Sequence, residues 1–125
     1  MENIKIDDLA DAIIEELEQY NQEVTDALKE EVFETTEICK KEIKLNSPKL
    51  TGGYRKGWRV KKVYEDQNDI RMRIYNKTDY QLTHLLEHGH AKVGGGRVEA
   101  RPHIAPAEQH AAERLGKRVK VIVGK

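Results

Sequence analysis

The histidines are the residues of this chain best suited to chemistry, and all five lie between positions 84 and 110. His84 and His88 are one helical turn apart, and Glu87 lies between them in the inverted zinc-peptidase pattern His-x-x-Glu-His. Two imidazoles at this spacing can chelate one Zn²⁺, and the carboxylate could act as a base on a bound water. A zinc-dependent hydrolase is therefore one alternative for this chain.

A productive zinc site also needs a third ligand and an open coordination position. The further candidates do not follow a diagnostic spacing: His90, His103, His110 and Glu108. A polar helix end whose histidines bond to the backbone or to neighbours is the simpler interpretation. We therefore predict no catalytic residue, no metal and no cofactor. Under the hydrolase alternative the metal candidates are His84, His88 and His90.

A mixed basic and aromatic segment follows the first glycines of the chain. Its members are Arg55, Lys56, Arg59, Lys61 and Lys62 with Tyr54, Trp58 and Tyr64. Nucleic-acid grooves combine cations for phosphate with rings for base stacking, so a small DNA-contacting protein using the 54–64 face is a second alternative. We favour a basic outer strand face, with Trp58 as a core anchor and with salt bridges to an acidic helix.

Charge is distributed unevenly along the 125 residues, although it sums to zero. Residues 1–45 carry fourteen acidic and five basic side chains, and residues 46–125 carry eight acidic and seventeen basic. The two halves should attract one another, within a subunit or between neighbours. A zero total gives little steering toward DNA. The lone Cys39 predicts a reducing compartment and a buried or half-buried thiol, and we expect no signal peptide and no membrane span.

The elements that must position these residues follow from the apolar spacing. Apolar residues recur every three or four positions over the first part of the chain, which predicts a long amphipathic helix from about residue 7 to about 44. Alternation predicts a β-hairpin over 58–76, and Leu82, Leu85 and Leu86 predict a short helix over 80–88. A C-terminal helix over about 106–118 completes an α+β fold. Residues 97–104 could add a short strand. The 119–123 tail could be either the end of the helix or an edge strand. We expect a single domain (1–125), divided into the helix (1–45), a central part (46–104) and a C-terminal part (105–125).

The central pieces, in their order, resemble the gene-ten-like tail-component family of tailed bacteriophages and prophages. They are Ser47-Pro48-x-x-Thr51-Gly52, Tyr54-Arg55-x-x-Trp58, Tyr75-Asn76, Leu85-Leu86-Glu87-His88-Gly89-His90 and Arg101-Pro102-His103-Ile104 with Pro106-Ala107. The resemblance implies a non-enzymatic structural protein of the head–tail junction or head-proximal tail end, which completes the tail or neck. It also implies a ring, a hexamer or a dodecamer, whose partners are tail-tube or terminator proteins and head-connector proteins.

Localisation follows from the same resemblance: the virion, or a phage tail-like particle assembled in the bacterial cytoplasm, with DNA contact if the particle carries a genome. We expect subunits to associate through the 9–44 helix and the basic hairpin, and the glycine-rich 89–101 loop to order on contact with a neighbouring ring. The predicted interface residues are Leu17, Tyr20, Val24, Leu28, Arg55, Arg59, Lys61, Arg97 and Arg101.

Overall fold

The computed structural model describes residues 20–49 and 53–124 in full and the backbone of residues 11–14. The elements are β1 (Asp11–Ile14), α1 (Gln22–Asn46), α2 (Gly53–Lys56), β2 (Trp58–Asp66), β3 (Asp69–Asn76), α3 (Tyr80–His88), β4 (His90–Ala91), β5 (Arg97–Val98) and α4 (Ala105–Ile122). The predicted α+β class is confirmed, with a long helix before a small antiparallel sheet, a short helix and a C-terminal helix. No helix in this described part is long and apolar enough to cross a membrane.

Helix α1 has clear signals at both ends. The Asn21 side chain accepts a hydrogen bond from the backbone N–H of Val24 at 2.8 Å, which satisfies one of the free donors of the first turn. At the other end, Ser47 is extended, because a residue before proline is pushed out of the helical region. Its hydroxyl donates to the Ile43 carbonyl at 2.6 Å and so satisfies a carbonyl of the last turn.

The predicted start of the long helix near residue 7 is wrong, because the helix begins at Gln22. Asp11–Ile14 instead form β1, which pairs antiparallel with β3. Pairing with β3 gives this segment inter-strand backbone hydrogen bonds, and such tertiary pairing overrides local helical spacing. The remaining predicted helical residues, 7–10 and 15–19, lie outside the described residues.

The three-stranded sheet has the order β1-β3-β2, with both pairs antiparallel. The predicted hairpin is confirmed: its register runs from Trp58 opposite Asn76 to Asp66 opposite Asp69. A bulge between Lys62 and Tyr64 breaks the ladder near the tip. Strand β2 is therefore an edge of this sheet.

The core lies between one face of the sheet and helices α1 and α4. Alternate residues of β3 point into it, and Ile70, Met72 and Ile74 are each at most 4% exposed. Helix α1 contributes Leu28, Val32, Cys39 and Ile43, and α4 contributes Ala107, Ala111 and Leu115. Cys39 is 2% exposed, as predicted, and burial raises the pKa of its thiol to about 12, so the thiol is chemically inert.

Ion pairs join α1 to α4. Through them, the acidic first part of the chain contacts basic residues of its second part. Glu31 is 5% exposed and lies 3.0 Å from both the Arg114 and the Arg118 guanidinium groups. Burial raises the pKa of Glu31, but the Arg118 and Thr35 hydrogen bonds and the two arginine charges outweigh it and leave that pKa below its ordinary value. A similar contact, 2.7 Å long, joins Glu42 and His110.

The C-terminal third differs from expectation in two details. The short strand predicted over 97–104 is only Arg97–Val98, paired with His90–Ala91 in a small hairpin. Helix α4 extends to Ile122, so the tail is helix end and not an edge strand. Pro106 lies in the first turn of α4, where its missing N–H has no helical partner to lose.

Candidate functional site

Glu87, the central residue of the zinc-like pattern, is a buried carboxylate that caps another helix. It is 3% exposed and accepts backbone N–H bonds from His103 at 2.8 Å, Ile104 at 3.0 Å and Ala105 at 2.9 Å. These donors precede or begin α4, where a helix has no internal partners for its N–H groups and favours a negative charge. Glu87 therefore fixes the start of α4 against α3.

His103 is the second buried member of this cluster and is 1% exposed. Its Nδ1 lies 2.8 Å from the Arg101 carbonyl oxygen and 3.2 Å from Glu87 Oε1, so the ring proton belongs on Nδ1. The Nε2 atom is then an acceptor for the Tyr54 hydroxyl, 2.6 Å away. The ring thus connects the capping carboxylate to the aromatic core.

Tyr54 and Trp58 form the aromatic part of the cluster. Their rings meet edge to face with centroids 5.4 Å apart, and both side chains are at most 2% exposed. Burial raises the pKa of the Tyr54 hydroxyl to about 12, which keeps it neutral and available as a donor. Trp58 Nε1 donates to Ser47 Oγ at 2.8 Å, which ties β2 to the end of α1.

Asn76 and Gly57 close the cluster on the side of the hairpin. The Asn76 amide donates to the Tyr54 carbonyl at 2.7 Å and accepts from the Asp79 N–H at 2.8 Å. A Cβ on Gly57 would lie 2.6 Å from Asn76 Oδ1 and 2.3 Å from Thr78 Oγ1, so only glycine fits. We name the buried set Ser47, Tyr54, Trp58, Asn76, Glu87 and His103 the motif network.

The two histidines of the zinc-like pattern lie apart from the carboxylate. His84 and His88 are exposed on one side of α3 with ring centroids 5.0 Å apart, whereas Glu87 points into the protein. Over residues 20–49 and 53–124, no three His, Cys, Asp or Glu side chains are grouped to hold a metal ion. Because its oxygens accept backbone N–H bonds, Glu87 is not placed to activate a water between these histidines, and the hydrolase alternative lacks its base.

The basic and aromatic 54–64 segment is divided by the fold. Tyr54 and Trp58 are buried, so neither ring is available for base stacking. Arg55 is half-buried and donates to the Ser47 carbonyl at 2.7 Å, while Arg59 and Lys61 are exposed. Among the side chains that the structure describes, the expected salt bridges from these basic residues to the acidic helix are not found. Lys62 pairs with Glu65 of its own strand, and Glu31 of α1 pairs with Arg114 and Arg118 of α4.

The other predicted interface residues occupy different environments. Leu28 is fully buried, so we assign it to the core and leave it out of any interface, and Leu17 lies outside the described residues. Tyr20 and Val24 are half-buried near the start of α1. Arg97 and Arg101 are exposed on the segment between α3 and α4, where the Arg97 guanidinium donates to the His88 carbonyl at 3.3 Å.

Glu108 has an unusual environment on the first turns of α4. Its Oε1 atom is buried without a hydrogen-bond partner among the described residues, and burial together with the Glu87 charge raises the pKa of its carboxyl to about 7. A carboxyl whose pKa is higher in the folded state is preferentially protonated there. It therefore lowers stability progressively as pH rises through about 4.5 to 7.

Glu108→Gln should accordingly stabilise the protein at pH 8 and be nearly neutral at pH 5. We expect a gain of roughly 1 kcal/mol at pH 8, a discounted figure because the group is only half-buried. Urea unfolding of both proteins at the two pH values measures it. Glu113 is exposed on the same helix, so Glu113→Gln is the matched control and should leave stability unchanged at both pH values. An equal effect of Glu108→Gln at both pH values would contradict the assignment.

Comparison with known families gives the context for this network. The sequence profile of the family described as "Bacteriophage HK97-gp10, putative tail-component" matches residues 11–89, more than half of the chain. The chain belongs to this family and is a structural component of bacteriophage tails. Searches of curated proteins and of solved structures find no significant match.

The matched range contains most of the motif network but not its last member. Ser47, Tyr54, Trp58, Asn76 and Glu87 lie within residues 11–89, whereas the segment of His103 and α4 lies beyond them. From the sequence, His103 is identifiable only as part of the segment that resembles the tail-component family and as a candidate metal ligand. Its separation of 16 residues from Glu87 gave no signal that the two would meet.

Proposed function

We propose that this protein completes the head-proximal end of a phage tail as a ring-forming part of the neck or head–tail connector. Membership of the tail-component family carries the proposal, because it supports a role within a phage particle. The partners would be tail-tube or terminator proteins on one side and head-connector proteins on the other. The ring would be a hexamer or a dodecamer, located in the virion or a tail-like particle after assembly in the host cytoplasm.

The motif network supports an architectural role over an enzymatic one. Its polar groups are used by one another: Glu87 holds α4, His103 bonds Tyr54, and Trp58 bonds Ser47. A catalytic site instead needs polar groups that remain accessible to a substrate. The proposed function should therefore depend on residues at the surface of the protein.

Several exposed features of that surface suit contact with other subunits. Large apolar side chains are exposed at Leu45 (75%), Tyr80 (72%) and Val93, which is fully exposed. Val93 precedes three glycines with positive φ angles at the tip of the β4–β5 hairpin. We assign the 89–101 segment, with Arg97 and Arg101, to contact with a neighbouring ring, and Tyr20, Val24, Arg59 and Lys61 to contacts within the ring.

Removing the gene from its phage or prophage tests this role directly. We expect separate heads and tails in electron micrographs, with no joined particles, and restoration when the wild-type chain is supplied from a plasmid. A plasmid carrying His84→Ala/His88→Ala should restore joining equally well, since those side chains are not part of the proposed role. Normal joined particles in the absence of the chain would contradict the proposal.

A further inference from the structure

The exposed side of α1 is acidic over its first four turns. Five carboxylates and one aromatic ring recur there at three- and four-residue spacing, which places them on one side of the helix. We call this the acidic α1 face: Glu23, Asp26, Glu30, Phe33, Glu34 and Glu37. Phe33 lies in the middle of this face and is 49% exposed. Glu30 makes no ion pair within residues 20–49 and 53–124.

The outer face of the β2–β3 hairpin is basic. Residues 71, 73 and 75 alternate with the buried residues of β3, and the register places Arg59 opposite Tyr75 and Lys61 opposite Arg73. We call this the basic sheet face: Arg59, Lys61, Arg71, Arg73 and Tyr75. Lys61 lies over the Tyr75 ring, 5.8 Å from its centroid, and the Arg71 side chain is 50% exposed. Three of its five residues come from β3, whereas the interface residues predicted from the sequence include only Arg59 and Lys61 of this face.

These two faces lie on opposite sides of the subunit. The buried side of α1, with Leu28 and Val32, packs toward the inner side of the sheet, so the acidic α1 face points away from it. The basic sheet face is the other side of the same sheet. A contact between the acidic face of one copy and the basic face of the next is therefore head-to-tail, and such contacts build a ring when the rotation between copies closes.

From this complementarity we infer that the basic sheet face of one copy binds the acidic α1 face of the next copy. The inference rests on the proposed ring and names its contact. The helix is long enough to cover the basic sheet face: residues 23–37 of a helix span about 21 Å, and Arg71 to Tyr75 of a strand span about 13 Å. The aromatic rings of Phe33 and Tyr75 add apolar area to a contact that is otherwise charged.

Complementary charge reversal tests this contact. Variant A carries Asp26→Lys and Glu30→Lys, and variant B carries Lys61→Glu and Arg71→Glu; all four positions are exposed. Each variant has one intact face, so each alone should lose the ring, with self-association weakened at least about tenfold. A mixture of A and B should assemble with the two variants alternating, because the sheet face of A fits the α1 face of B and the two reversed faces fit each other. The chain with all four reversals should form the ring again.

The controls and the contrary outcomes separate this inference from the ring itself. Glu113→Lys and Lys117→Glu make the same charge changes on exposed positions of α4, and each should leave the ring intact in native mass spectrometry. Equal circular-dichroism melting temperatures will show that A and B are folded. Intact rings from A or B would overturn the contact and leave the ring proposal standing, whereas a wild-type chain that never assembles, even with tail-tube protein, would overturn both.

Nucleic acid is the competing occupant of the basic sheet face, and the same variants report on it. Binding of a duplex oligonucleotide is measured at two salt concentrations for wild type and variant B. If the wild type binds with a steep salt dependence, and B loses that binding while keeping its ring, the face is a DNA surface and our inference is wrong. Weak binding that B retains supports the copy-to-copy contact.

Discussion

Glu87→Ala should lower the free energy of unfolding by about 3–5 kcal/mol. Three backbone N–H groups at the start of α4 lose their acceptor, and the side chain that replaces it leaves a buried gap beside His103. A small domain has only about 5–15 kcal/mol of total stability, so this single change should remove a large fraction of it. Urea or thermal unfolding followed by circular dichroism measures the effect.

Two variants separate the capping role from a role in metal binding. Glu87→Gln keeps the volume and one acceptor oxygen but loses the charge, so we expect a loss of about 2 kcal/mol. His88→Ala is one residue away on the exposed side of α3 and should change stability by no more than about 0.5 kcal/mol. If Glu87→Gln melts like wild type and His88→Ala does not, the capping account is wrong.

Trp58→Ala is the second substitution with a large expected effect, a loss of about 3–5 kcal/mol. The indole is 2% exposed, packs edge to face on Tyr54 and lies 6.2 Å, between ring centroids, from His103. Removing it leaves a cavity at the meeting point of α1, β2 and the start of α4. The free energy of unfolding is obtained from urea titration at neutral pH.

Trp58→Phe is the matched control because it keeps most of the aromatic volume and removes only the Nε1 bond to Ser47. Ser47 Oγ still donates to the Ile43 carbonyl, so no buried hydroxyl is left without a partner. We expect a loss of about 1–2 kcal/mol, well below that of alanine. An unchanged melting temperature for Trp58→Ala would show that this residue is not a core anchor.

The elements with local signals were predictable from the sequence. Alternating apolar and polar residues predict the β2–β3 hairpin, the leucines predict α3, and Pro48 predicts the end of α1. Strand β1 was missed, because apolar residues spaced by four positions favour a helix unless a distant strand pairs with them. Only the position of β3 in the folded chain shows that Asp11–Ile14 complete its other edge.

The site was harder to predict because its contacts are long-range. The pattern around Glu87 fitted either a zinc helix or a polar turn, and local spacing could not show which way the carboxylate points. Its partners are backbone N–H groups, which carry no side-chain signature in a sequence. The basic sheet face could not be predicted either, because its contacts are also long-range. Only the hairpin register brings Arg71 and Arg73 next to Arg59 and Lys61.

Native mass spectrometry of the purified chain, before and after EDTA, tests the central claim most directly. We infer that this protein acts as a self-assembling part of the tail and that its motif network is architectural. We predict a metal-free ring of six or twelve copies, formed alone or on addition of tail-tube protein, with a mass that EDTA does not change. A monomer under both conditions, or one zinc ion per subunit that EDTA removes together with the assembly, would contradict the account.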